Sequence, residues 1–103
     1  MENIIKYKTD DVILDEGCIT TYMYFIKSGK VILYINYGEP DEYVLGIYSA
    51  GKVIGEMALL DGSACMYTAV AYDDVTLIRI TQHNINTFFE EHPECTLGIM
   101  RSM

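Results

Sequence analysis

The chain's 103 residues suffice for one compact domain rather than two, and a hydrophobic share of 50% excludes disorder. Seven Lys+Arg against 15 Asp+Glu leave a net charge of −8, which repels nucleic acid, anionic lipid and, at long range, any anionic small ligand. No apolar run approaches the ~18 residues of a membrane span and no signal peptide opens the sequence, so neither nucleic acid nor a membrane is expected as a partner, and the location is expected to be cytoplasmic.

In chain order, residues 1–8 read as a short lead-in, with Ile4, Ile5 and Tyr7 able to begin packing. Val12-Ile13-Leu14 is strand-like, and Asp15-Glu16-Gly17 is a turn in which Gly17 serves a positive φ. Two β-prone runs, 22–26 and 30–35, flank Lys27-Ser28-Gly29, a pattern that predicts a hairpin. A second turn cluster, Asn36 to Glu42, leads into another β-prone run from Tyr43 to Tyr48. Ala50 to Ile54 then brings the chain to Gly55.

Beyond Gly55 comes a short apolar turn, a loop, and a strand predicted over Cys65 to Tyr72. Its alternation would place Cys65, Tyr67, Ala69 and Ala71 on one face, and Met66, Thr68, Val70 and Tyr72 on the other. Asp73-Asp74 turns the chain into Val75–Ile80. Thr81 is the expected N-cap of a helix from Gln82 to Glu91, with Ile85, Phe88 and Phe89 as its apolar stripe. His92-Pro93 ends it, and a second helix bearing Leu97, Met100 and Met103 is expected to follow, weakened by Gly98. Short strands separated by turns predict an all-β sandwich or roll, and periodicity alone leaves that choice open.

The run Gly55-Glu56-Met57-Ala58-Leu59-Leu60-Asp61-Gly62, after the Ser28-Gly29-Lys30-Val31 segment, resembles the phosphate-binding cassette of the cyclic nucleotide-binding domain. That domain is the sensor module of the Crp/Fnr regulators and of cyclic-nucleotide-dependent kinases, and the resemblance extends from Tyr7 to about Met100. It implies a double-stranded, jelly-roll-like β-roll with a short cassette helix and C-terminal helices, in one module over residues 1–103 with no DNA-binding domain. By resemblance the ligand-binding residues are Gly55, Glu56, Met57, Ala58, Leu59, Cys65, Met66, Tyr67 and Thr68, with Glu56 accepting protons from ribose hydroxyls. The family continues with proline, arginine, a small polar residue and alanine, and the arginine pairs with the cyclic phosphate. Ala64, Cys65, Met66 and Tyr67 stand in those places here. The sequence has two arginines, Arg79 and Arg101, and neither lies in the cassette. An unpaired buried phosphate costs about 3–5 kcal/mol, or roughly two to four decades of affinity.

Each of these residues also has a plainer reading. Glu56 can simply favour the start of a short helix. Tyr67 is expected as an ordinary strand aromatic; turned inward, it would fill the pocket and hydrogen-bond Glu56. Cys18, Cys65 and Cys95 lack CxxC spacing and read as small buried hydrophobes, with a redox-responsive Cys65 as the sharper alternative. His83 and His92 form no metal cluster, and no serine has a histidine at a suggestive spacing, so neither a metal site nor an enzyme is expected. Two functions remain. The first is a regulatory ligand-sensing module, weakened or altered toward cyclic AMP and cyclic GMP, with a cyclic nucleotide the doubtful ligand and no other cofactor implied. The second is a ligand-free module on the same fold that docks to a partner protein. A homodimer through the last helix is favoured over a folded-back monomer.

Overall fold

A computed structural model describes residues 3–93, and the expected second helix and its dimer contact lie outside them. Eight strands and two helices follow in order: β1 (Asn3–Tyr7), β2 (Val12–Leu14), β3 (Tyr22–Ser28), β4 (Lys30–Ile35), β5 (Tyr43–Ser49), β6 (Val53–Ile54), α1 (Met57–Leu60), β7 (Thr68–Ala71), β8 (Val75–Thr81) and α2 (Ile85–Glu91). They form two four-stranded sheets, ordered β1-β8-β3-β6 and β2-β7-β4-β5, with every pairing antiparallel. The fold is therefore the all-β double-sheet roll. Among the described residues no helix is long and apolar enough to cross a membrane.

The main core lies between the sheets, where Tyr24, Ile26 and Leu77 of the first meet Val31, Leu33, Ala69 and Ala71 of the second. A smaller core covers the outer face of the first sheet, where Met23, Phe25, Ile78 and Ile80 pack beneath Phe88 of α2. Strand β3 is thus buried on both faces, which explains why its sequence is an unbroken apolar run rather than an alternation. Phe25 meets Phe88 edge-on at 5.2 Å between ring centroids, and His92 stacks on Phe88 at 4.7 Å. Burial of a side chain such as Phe88 contributes about 1.5–3 kcal/mol.

Three local expectations are corrected. The lead-in is a strand: β1 pairs along its whole length with β8, Asn3 opposite Arg79 through Tyr7 opposite Val75. The 22–35 segment is not a hairpin, because β3 and β4 belong to different sheets. Gly29 makes a corner between them at φ +88°, held by the Lys30 N–H donating to Asp73 Oδ1 at 2.8 Å. Asp73 lies in the 72–74 connection, which carries the chain back from β7 to β8, so the two crossings brace each other. Finally, α2 begins at Ile85 with Asn84, not Thr81, at its N-cap. The Asn84 side chain instead closes a tight turn, accepting the Thr81 N–H at 2.6 Å and donating to the Arg79 carbonyl at 3.3 Å.

Strands β4 and β5 do form a hairpin, and its register slips between Leu33 and Tyr34: Leu33 faces Gly46, whereas Tyr34 faces Val44. Leu45 is the extra residue of this bulge, a device that re-aims one side chain out of the regular alternation.

Candidate functional site

Gly55 leaves β6 at φ +69°, a left-handed conformation suited to glycine, and sets Glu56 in helical geometry just ahead of α1. The Ala58 and Leu59 N–H groups turn back to the Gly55 and Glu56 carbonyls at 3.3 and 3.0 Å, so they are already engaged within the protein. After α1 the chain turns through Gly62 at φ +75°, with Asp61 Oδ1 accepting the Ser63 N–H at 2.9 Å. The return segment is clipped to the loop after β2: the Cys65 N–H donates to the Cys18 carbonyl at 2.8 Å, and the Gly17 N–H to the Cys65 carbonyl at 2.7 Å. Gly17, at φ +86°, is the positive-φ turn residue its sequence context predicts.

Head and tail of this cassette flank a partly open cavity of about 150 Å³. Gly55, Glu56, Met57 and Ala58 line it from one side, and Cys65, Met66 and Tyr67 from the other. Two expected residues stand apart from it. Leu59 packs against the smaller core, and buried Thr68 accepts the Glu16 N–H on its hydroxyl at 3.1 Å. Ser63 and Ala64 of the cassette loop also line it, and Leu14, Thr20 and Leu45, which were not legible in the cassette motif, complete the lining. Leu45 reaches the cavity from the β5 bulge, which depends on strand register and leaves no mark in local sequence.

Tyr67 is turned inward, against its expected role as an ordinary strand aromatic, because the strand begins only at Thr68. Its partner is also not Glu56: the Gly55 N–H donates to the Tyr67 hydroxyl at 2.8 Å. Burial pushes the phenol well above its ordinary value; the Gly55 N–H opposes this and the Glu56 charge adds to it. Cys65 occupies the position where the family carries arginine, and its thiol donates to the Tyr67 carbonyl at 3.1 Å. Burial raises this thiol too, partly offset by that bond, and the neighbouring Cys18, Glu56 and Glu16 raise it further. Such a thiol is a poor nucleophile, so the bland reading of Cys65 is the better supported.

Among the described residues the charge of the lining is carried by Glu56 alone, and no lysine, arginine or histidine reaches the cavity wall. Arg79 is engaged on the first sheet, donating from Nη2 to the Tyr24 hydroxyl at 2.9 Å and lying 4.4 Å from the centre of the Tyr22 ring.

A two-sheet roll with a glycine-led cassette over a cavity defines a class of small-ligand-binding β-roll domains. The chain belongs to the cyclic nucleotide-binding domain family, whose model matches residues 4–92. It is similar to the cyclic AMP receptor protein of Thermus thermophilus, at 31% identity over 72% of this chain and 34% of that protein. It is also similar to lysophospholipase NTE1 of Coccidioides immitis, at 25% identity over 94% of this chain and 6% of that protein. Among solved structures, the half-site-occupied form of EAL enzyme Bd1971 superposes with a TM-score of 0.79 at 25% identity, covering 99% of this chain and 91% of that one. The chain thus spans about a third or less of the curated relatives it matches.

Proposed function

We propose that residues 1–103 form one regulatory, ligand-sensing module that has lost strong affinity for cyclic AMP and cyclic GMP. The observation that carries this reading is the Tyr67 hydroxyl seated on the Gly55 N–H, in a cavity that no basic side chain lines among the described residues. In such a cassette the backbone amides and an arginine would receive the phosphate. Here the Gly55, Ala58 and Leu59 amides are engaged internally, and Cys65 replaces the cation. The remaining 150 Å³ is also below the roughly 300–1,000 Å³ of usual small-molecule sites.

The domain acts as a sensor rather than as a catalyst, in the cytoplasm, and contacts neither nucleic acid nor membrane itself. Calorimetry with cyclic AMP and cyclic GMP tests the reading. The expected result is no binding tighter than roughly 100 μM, given the decades of affinity lost with the arginine. A low-micromolar dissociation constant for either nucleotide overturns it. The competing reading, a ligand-free docking module, draws on the same inward tyrosine. It requires the cavity to stay unfilled by any small molecule.

A further inference from the structure

The cavity is lined mostly by apolar groups, with a single charged side chain among the described residues. Its volume, about 150 Å³, matches that of a cavity that accepts a single benzene-sized ring in another protein. Leu14, Leu45, Met57, Ala58 and Met66 supply apolar wall, and the two methionines are unbranched chains that adapt to irregular shapes. Against this stands one charged group. Glu56 lines the cavity, does not cap α1, and its carboxylate has no hydrogen-bond or ion-pair partner among the described residues.

Any ligand that fills the cavity removes water from that carboxylate. An ionised carboxylate only accepts hydrogen bonds, so an apolar occupant leaves it without donors and an anion adds repulsion. The described lining side chains keep one uncommitted hydroxyl proton, that of Tyr67, whose oxygen is held by the Gly55 N–H. The Thr20 hydroxyl proton is committed to the Tyr22 carbonyl at 2.9 Å, and the Cys65 thiol proton to the Tyr67 carbonyl. Glu16 lies close enough for its charge, like that of Glu56, to raise the Cys65 thiol. The chain's charge of −8 draws cations from a distance as well.

We propose that the cavity binds small primary amines that carry one ring-sized apolar group, with the ammonium on the Glu56 carboxylate and the ring on the methionine and leucine wall. This rests on the reading that the site no longer takes cyclic nucleotides. It goes further by reversing the sign of charge that the site selects.

Titration of the full chain with benzylamine, benzyl alcohol and benzoate, followed by NMR shifts of the cavity residues, tests it. Benzylamine is expected to bind at least tenfold more tightly than benzyl alcohol, and benzoate is expected not to saturate. Glu56→Gln should weaken benzylamine at least tenfold, with the fold of the variant checked by its melting temperature. Equal affinity for the amine and the alcohol in the wild-type chain overturns the proposal, whether or not the variant folds. So does the absence of saturable shifts with benzylamine. Neither result touches the nucleotide reading, which fails only if cyclic AMP or cyclic GMP binds at low micromolar concentration.

Discussion

Gly29 and Gly55 each follow a strand of the first sheet and each take a left-handed φ, +88° and +69°, yet their surroundings have little in common. At Gly29 an added Cβ would lie 2.5 Å from the Asp74 carbonyl oxygen and 2.6 Å from Val75 Cγ1. At Gly55 the nearest atom would be the Leu14 Cδ1 methyl at 3.0 Å. One glycine is enclosed by the backbone of the neighbouring crossing. The other is bordered by a movable side chain at the edge of a cavity. The first corner is built for closure and the second retains room, which is what a ligand site on a rigid scaffold needs.

This contrast can be broken most directly at Gly29. Gly29→Ala combines a left-handed penalty of about 1–2 kcal/mol with an overpacking cost of about 1–3 kcal/mol, so a loss of about 2–5 kcal/mol is expected in urea unfolding. Gly55→Ala should lose less, about 1–2 kcal/mol from the backbone conformation plus a small shift of the Leu14 methyl. The reverse order of these two losses would dissolve the distinction between the corners. A third substitution sharpens it by changing the site without the frame. Cys65→Arg combined with Tyr67→Ala restores a cation and frees the Gly55 N–H, and should tighten cyclic AMP binding at least tenfold by calorimetry, worth about 1.4 kcal/mol. No gain would mean that the head of the cassette has also lost its ligand geometry.

The smallest effect is electrostatic. Because burial raises the Tyr67 phenol above the ordinary tyrosine value of about 10, the folded chain keeps a proton that the unfolded chain releases. That contribution to stability is complete below about pH 10 and declines as pH rises beyond it. Tyr22, Tyr24 and Tyr34 are raised as well and act with the same sign. Tyr67→Phe should therefore flatten the alkaline decline without abolishing it, by less than about 1.4 kcal/mol per pH unit. Urea unfolding between pH 9 and 11 measures the difference, and identical slopes would place the phenol in contact with water.

How legible these features were in the sequence depended on how local their causes are. The β-prone runs of β3, β4, β5 and β8, and the glycine-glutamate opening of the cassette, are written in adjacent residues and were readable. The lead-in hid a strand because its partner, β8, lies at the other end of the fold. Ser28-Gly29 looked like a hairpin because a tight glycine turn has the same composition whether its strands pair or part. Tyr67 defeated alternation for a different reason: it precedes the strand, so strand parity could not fix its direction. Leu14, Thr20 and Leu45 reach the cavity only through tertiary placement.

The union of β1 with β8 also has a consequence in time. A chain made from its N-terminus cannot pair its first described strand until the last described strand has emerged. Lys30, at the Gly29 corner, likewise waits 43 residues for Asp73. Until then β3 lacks its neighbour β8, and α2, which covers its outer face, comes later still. Long-range pairing of this kind places a domain among the slower folders, at about milliseconds to seconds. The nascent chain therefore passes through a stage in which its stickiest strand is finished but uncovered on its outer face, and that is the stage at which a holding chaperone would find most to grip.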